Sequence, residues 1–294
     1  MLERRKHGIL VVNEFLHANK YSELYEWFEN AAEKYHMKLT IKTNASLLVS
    51  DIKKMVAEEQ IDFVLFWDKD IRLAQYLEFV GLPVFNSAKA VEACDDKSYT
   101  YLLLEQAGIA MPKTIIGPKT FESVNYTTTE FLDIVSMELG FPMIIKECYG
   151  SFGQQVYMVH TKEELLKKVK ETSPKPIIFQ EFIKTSFAKD LRLQVVGDQV
   201  VASMYRYSDT GDFRANISNG GKMRYYEPTK EEQTIALKSC EAIGLDFAGV
   251  DLLFGEEGQP LVCEVNSNAH FRNIYDCTQV NVAEMIMEYI LNKL

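Results

Sequence analysis

Residues 248–266 read AGVDLLFGEEGQPLVCEVN. Two apolar runs flank the polar, glycine-bearing GEEGQ, the pattern of an antiparallel hairpin centred near Glu257 and Gly258. Asp251 and Glu264 lie almost equally far from that centre, so they are expected to face each other across the pair. Asn266, two residues beyond Glu264, points to the same face. Opposed side chains sit about 4.5–5.5 Å apart, where like charges repel, and a buried unpaired carboxylate is costly. Two carboxylates and an amide oxygen on one face suit a hard cation such as Mg²⁺, which takes one or two carboxylates together with substrate phosphates. A solvated outer face would carry the same letters.

Upstream, LRLQVVGDQVVASMYR (191–206) is a second hairpin with Gly197-Asp198 at its turn. Asp190, Arg192 and Gln194 alternate with leucines and therefore share one strand face. Arg206 ends the partner strand, and Arg214 and Asn216 lie in the polar stretch 207–224. Guanidinium groups bind phosphate and carboxylate in bidentate fashion; ion pairs among these same residues are the alternative use. In FPMIIKECYGSFGQQV (141–156), Lys146 sits in an apolar strand where an ammonium needs an anion. Gly150, Ser151 and Gly153 follow, in a loop whose glycines allow backbone N–H groups close to phosphate oxygens. An ordinary turn would read the same way, and the run is not a Walker loop. Lys97 opens a helix expected over 95–107, directly after Asp95-Asp96, a position that also suits a surface lysine.

The first ninety residues alternate strand-like runs (GILVVNEF, MKLTIKT, IDFVLFW, LPVFN) with helical patterns at 21–36, 50–59 and 70–79, which predicts a small parallel α/β sheet. No G-x-G-x-x-G follows the first strand, so a dinucleotide grip is not expected. Further on, Thr161–Glu164 and Thr229–Glu232 read as capping boxes opening helices, and an amphipathic helix is expected over 281–292.

The chain has 294 residues, 47% hydrophobic and 25% charged, ordinary values for a globular protein of two or three subdomains. Its formal net charge of −10 argues against nucleic acid or an anionic membrane as a partner recognised by bulk charge. No apolar run is long enough to span a membrane. The N-terminal MLERRKHGILVVNEF breaks at Asn13-Glu14 and reads as a first strand rather than a signal peptide. Five dispersed cysteines without C-x-x-C suggest reduced thiols in a cytoplasmic protein. The five histidines lack H-x-x-x-H spacing and no G-x-S-x-G occurs, which disfavours zinc or serine catalysis.

Taken in order, NSAKAVEACDDKSYTYLLLEQAGIAMPKT, FPMIIKECYGSFGQQV, FQEFIKTSFAKDLRLQVVGDQVVASMYR, GDFRANISNGG, AGVDLLF and VCEVN span about 86–266. Together they resemble the ATP-grasp superfamily, most closely the ribosomal-protein glutamate ligase (RimK-like) carboxylate–amine ligases. The resemblance implies an α/β (α+β) fold: two α+β subdomains gripping ATP, preceded by a small Rossmann-like parallel domain. The corresponding divisions are 1–94, 95–180 (central and lid subdomain) and 181–294 (C-terminal subdomain with the metal site). It further implies that Lys97 and Lys146 hold ATP phosphates beneath a 150–153 lid. Gln180, Glu181, Phe182 and Ile183 would form the adenine hinge, Asp190 would meet the ribose, and Arg214 and Asn216 would reach the phosphates. Asp251, Glu264 and Asn266 would carry Mg²⁺, for which Mn²⁺ can substitute, and Arg206 would act at the reacting centre.

The implied reaction joins a small-molecule or peptide carboxylate to an amine or amino acid, glutamate among them. A kinase-like phosphotransferase and a nucleotide-binding regulator are the alternatives, and a homo-oligomer is compatible with the sequence. Family members commonly follow E-V-N with a Ser-Pro-Gly-like turn, whereas this chain has Ser267-Asn-Ala-His-Phe-Arg272. His270 and Arg272, with Arg192, are therefore the residues expected to select an anionic substrate.

Overall fold

The computed structural model describes residues 4–17, 19–48, 51–150, 153–217 and 220–294. Strands β1 (His7–Val12), β2 (Lys38–Thr43), β3 (Phe63–Trp67) and β4 (Val84–Phe85) form a parallel sheet in the order β2-β1-β3-β4. β1 and β3 are buried throughout, as expected when helices cover both faces of a parallel sheet. Alternate residues serve opposite faces. Leu10, Val12, Leu65 and Trp67 pack on α1 (Asn19–Lys34) and the C-terminal α10 (Val282–Lys293). Ile9, Val11, Val64 and Phe66 pack on α2 (Ile52–Glu59) and α3 (Ile71–Phe79).

A second, antiparallel sheet has the order β5-β8-β6-β7, from β5 (Thr114–Ile116), β6 (Met143–Glu147), β7 (Val156–Val159) and β8 (Ile177–Glu181). Its core is closed by α6 (Phe131–Leu139) and α7 (Lys162–Thr172). The third sheet, order β11-β10-β9-β12-β13, is built from β9 (Lys189–Val196), β10 (Gln199–Tyr207), β11 (Lys222–Tyr225), β12 (Phe247–Phe254) and β13 (Pro260–Asn266). On one face Leu191, Leu193 and Val195 meet α8 (Lys230–Ile243), α4 (Ala88–Asp95) and α5 (Lys97–Gln106). The other face of β9 changes character along its length. Val196 joins the core that contains α10, Gln194 is a buried amide, and Arg192 and Asp190 carry charge to cavities beside the sheet.

The three sheets occupy 7–85, 114–181 and 189–266, but helices cross these divisions: α4 and α5 pack under the third sheet, and α10 against the first. The helix expected over 95–107 is the second of two, α4 and α5. Asp96 parts them, its side chain accepting the N–H groups of Ser98 (2.9 Å) and Tyr99 (3.3 Å) as an N-cap. The polar stretch 207–224 ends in a strand, β11. Thr229 and Glu232 form a full capping box. Thr161 accepts the Glu164 N–H, but the Glu164 carboxylate turns to the N–H of His160 at 2.7 Å. All five cysteines are free thiols, and no helix among the described residues is long and apolar enough to cross a membrane.

Candidate active site

An open cleft of about 800 Å³ lies between the second and third sheets. Lys97, Lys146, Gly153, Gln180, Glu181, Phe182, Ile183, Asp190, Arg206, Arg214, Asn216, Asp251 and Glu264 all line it. A wider chamber of about 1510 Å³ adjoins it, lined by Gly150, Arg192, Asn266, His270 and Arg272 and sharing Gly153, Arg206, Asn216 and Glu264 with the cleft. Ser151 lies outside the described residues.

The hairpin register pairs Asp251 directly with Glu264. A bulge follows, with Leu252 opposite Val262, so Cys263 has no cross-strand partner and lines the cleft beside Lys146. Their repulsion is not left bare. Arg192 donates to both oxygens of Asp251 at 2.6 Å, and Arg206 reaches the same carboxylate at 3.0 Å. Arg206 also holds Asp190 at 2.6 and 2.8 Å. Burial pushes the Asp251 carboxyl up, but the two guanidiniums outweigh it and hold it below the usual carboxylate range. For Asp190 burial prevails over Arg206, and its pKa is raised. Arg206, 4% exposed, is held firmly cationic: burial opposes its charge, but Asp190 and Asp251 more than compensate.

The lysines stand apart from this network. Lys146 is 6% exposed, and among the described residues its side chain has the Cys263 thiol, 3.6 Å away, and no carboxylate within ion-pair distance. Such an ammonium has an outstanding electrostatic demand for an anion. Lys97 donates to the Gly150 carbonyl at 3.2 Å and lies 3.5 Å from Glu264. Arg214 pairs with Asp212 at 2.7 Å and donates to the Gly153 carbonyl at 2.6 Å, tying the glycine loop to the far wall. Gly153 has φ +70°, and a Cβ there would lie 3.2 Å from the Asn216 amide oxygen. At the other end, Phe182 meets Phe187 and Phe213 edge to face, making an aromatic wall beside the chain turn after β8.

Residues 94–290 match the model of the RimK-like ATP-grasp domain. The chain belongs to the RimK-like ATP-grasp family. It is 31% identical over 268 residues to an uncharacterised protein of Mycoplasma pneumoniae, covering 90% of this chain and 92% of that one. It is 33% identical over 222 residues to a probable alpha-L-glutamate ligase of Legionella pneumophila, covering 74% and 70%. Its fold superposes on the D-alanine–D-alanine ligase of Bacillus anthracis in complex with ATP, with a TM-score of 0.74 at 17% identity over 99% and 98% of the two chains.

For this RimK-like ATP-grasp chain the donor chemistry suits both a nucleotide and a hard cation. The cleft joins an aromatic wall to a buried unpaired ammonium. Asp251, Glu264 and Asn266 offer only oxygen donors from one sheet face. The buried Asn266 Nδ2 has no hydrogen-bond partner among the described residues. Among the described residues no cluster of three or more His, Cys, Asp or Glu side chains could hold an ion alone, so a cation here would need the amide and ligand oxygens to complete its shell.

Arg272 is less available than the sequence reading assumed. It pairs with Glu23 (2.7 Å) and Asp276 (2.9 Å) and lies over the Trp27 ring. It opens the short helix α9 (Arg272–Thr278), which the sequence reading did not anticipate. Sequence reasoning also missed Tyr21 on α1 and Trp67 and Lys69 at the end of β3, which line the chamber. A signal existed: the apolar run of β3 ends in Trp67-Asp68-Lys69, and ligands of open parallel sheets gather beyond the carboxyl ends of strands.

Proposed function

We propose that the protein is an ATP-dependent ligase that activates a carboxylate as an acylphosphate and joins it to an amine, releasing ADP and phosphate. The observation that carries this reading is the convergence, on the cleft and its adjoining chamber, of Lys146, the Arg206–Asp190–Asp251 network and the Glu264–Asn266 donors. In this reading Lys97 and Lys146 bind the nucleotide phosphates, and Arg214 and Asn216 close on them from the far wall. Gln180 to Ile183 seat the base against the Phe182 wall, with Asp190 toward the ribose. Asp251, Glu264 and Asn266 hold Mg²⁺, which supplies charge neutralisation to the transferring phosphoryl group. Arg206, fixed at the junction of cleft and chamber, stabilises negative charge that develops on the acyl carbon's oxygen.

The chamber is the place for the carboxylate and the amine. Arg192 and His270 on its wall favour an anionic substrate, and the name of the Legionella relative makes glutamate the first amine to test. The experiment is ADP and phosphate release from Mg²⁺-ATP across a panel of amino acids paired with small-molecule and peptide carboxylates. An amide product identified by mass spectrometry supports the ligase. A stable phosphorylated product would replace it with a phosphotransferase, and no nucleotide turnover across the panel would count against both.

A further inference from the structure

The ion pair of Arg192 and Asp251 stands in the wall between the two cavities. Asp251 lines the cleft, Arg192 lines the chamber, and Arg206 opens to both. Arg192 and Asp251 are direct cross-strand partners on β9 and β12. The guanidinium takes both carboxylate oxygens, Nε on Oδ1 and a terminal nitrogen on Oδ2, each at 2.6 Å. The two arginines are not equivalent. Arg206 can give up its 3.0 Å contact with Asp251 and keep Asp190, whereas Asp251 is the one carboxylate paired with Arg192 among the described residues.

A divalent ion and a guanidinium on the same carboxylate repel each other directly. An ion arriving alone meets a carboxylate already neutralised by two guanidiniums. An ion arriving on a nucleotide belongs to a complex of net negative charge, which Lys97 and Lys146 attract.

We propose that Arg192 is a lock on the metal site, holding Asp251 until a metal–nucleotide complex displaces it, and that the freed guanidinium then binds an anionic group in the chamber. The inference rests on the metal reading of Asp251 given above. It identifies the anchor for the substrate's negative group and orders the binding: nucleotide with metal first, anionic substrate second. The planar fork of Arg192, matched to one carboxylate before the exchange, is matched to another after it. Among the described chamber cations Arg206 stays on Asp190, Lys69 pairs with Asp95, and Arg272 pairs with Glu23 and Asp276, so Arg192 is the one the exchange sets free.

The test uses the full-length protein and Mn²⁺ alone, with free ion measured by electron paramagnetic resonance. Wild type is expected to bind Mn²⁺ weakly without nucleotide. Arg192→Gln should bind it at least about 10-fold more tightly, since one guanidinium no longer opposes the ion. Arg192→Lys should fall between, and Arg192→Gln combined with Asp251→Asn should lose the gain. Equal Mn²⁺ affinity in wild type and both single variants, all folded by circular dichroism, overturns the lock. If Arg192→Gln does not fold, the lysine variant carries the comparison. Release is read separately by labelling arginines with a 1,2-dicarbonyl reagent and mapping adducts by mass spectrometry. Arg192 should label slowly in the free protein and several-fold faster with Mg²⁺ and a non-hydrolysable ATP analogue; an unchanged rate overturns the release step. A wild-type protein that binds no Mg²⁺–ATP analogue at all would instead remove the functional reading beneath the proposal, a failure distinct from the other two.

Discussion

Asn86 is the residue whose replacement should reach the site from farthest away. It follows β4 in the first sheet, is fully buried, and its side-chain amide acts as a missing piece of the third sheet. Its Nδ2 donates to the carbonyls of Phe247 (2.9 Å) and Ser267 (3.1 Å), and its Oδ1 accepts the N–H groups of Asp246 (2.7 Å) and Phe247 (3.2 Å). β12 and β13 pair only from Gly249 and Asn266 onward, so this amide bridges the strands where their own ladder stops. Asn86→Ala removes four hydrogen bonds and strands buried backbone groups. At about 1 kcal/mol net per bond, with a further cost for unsatisfied groups, the loss is about 3–5 kcal/mol. At about 2–4 °C per kcal/mol for a chain of this size class, Tm should fall by about 6–20 °C. Because Ser267 follows Asn266 directly, Mg²⁺–nucleotide affinity should fall as well.

Asn86→Asp adds a sign. The new carboxylate keeps the two accepted bonds but turns an oxygen toward two carbonyls, and burial raises its pKa above the unfolded value of about 3.9. A group raised in the folded state contributes stability below the unfolded pKa and loses it as pH rises through the folded pKa. Asn86→Asp should therefore be closest to wild type in acid and fall behind it toward neutral pH. Thermal melts from pH 4 to 8 decide the matter. A loss below about 1 kcal/mol in Asn86→Ala, with a pH-independent gap for Asn86→Asp, refutes the bridging role.

Other substitutions separate stability from binding. Lys146→Met removes a buried ammonium that lacks a carboxylate, so thermal stability should hold or rise. Affinity for an ATP analogue by calorimetry should fall about 10- to 100-fold, the worth of a charge-assisted contact. Asp251→Asn and Glu264→Gln should both abolish turnover, but unequally in stability. The first breaks a buried bidentate pair and costs about 3 kcal/mol or more. The second disturbs a carboxylate one-third exposed and 3.5 Å from Lys97, and costs under about 1 kcal/mol; equal losses in urea would contradict the network. At Gly249 a Cβ would lie 2.4 Å from that of Ala269, so Gly249→Ala should displace the segment after Asn266, cost about 1–3 kcal/mol and weaken Mn²⁺–nucleotide binding.

Much of this arrangement was legible because strand side chains repeat every two residues. The ladder beside the turn, with Phe254 opposite Pro260, would continue to Asp251 opposite Cys263; the bulge at Cys263 shifts the register by one, which is what makes a centre near Glu257 and Gly258 oppose Asp251 and Glu264. Short-range chemistry likewise announced the Thr229 capping box. Illegible were the features that depend on which non-consecutive strands meet. β9 pairs with β12 across α8, and that adjacency alone brings Arg192 onto Asp251. The alternation Asp190-Leu-Arg192-Leu-Gln194 gave the face of these residues but not their partners. α9 escaped because seven residues without a side-chain cap carry too little periodicity to stand out from a loop. The end of the β3 run marks Trp67 and Lys69 as candidates, but they reach the chamber only through docking of the first sheet on the third, an arrangement that run does not specify.

The same ion pairs reconcile the acidic chain with an anion-binding cleft. Asp190, Asp251 and Glu264 face Arg192, Arg206 and Lys97 around the cleft, and Arg214 is matched by Asp212. Bulk charge therefore says little about what the cleft accepts, because its field is local and nearly balanced before any ligand arrives. Balance lets a densely charged site stay folded: among the described residues around the cleft, Asp190, Asp251, Arg192 and Arg206 each have a counter-ion within the chain, which offsets their desolvation. It also sets the terms of binding. A ligand that brings only a cation or only an anion must break a pair without replacing it, whereas a metal and a polyphosphate arriving together replace both sides. Lys146, the one buried cation left over among the described residues, favours a complex whose own charge is negative. On the proposed function, paired charges with a single buried ammonium to spare would let the site fold without its ligand and admit the assembled metal–nucleotide complex.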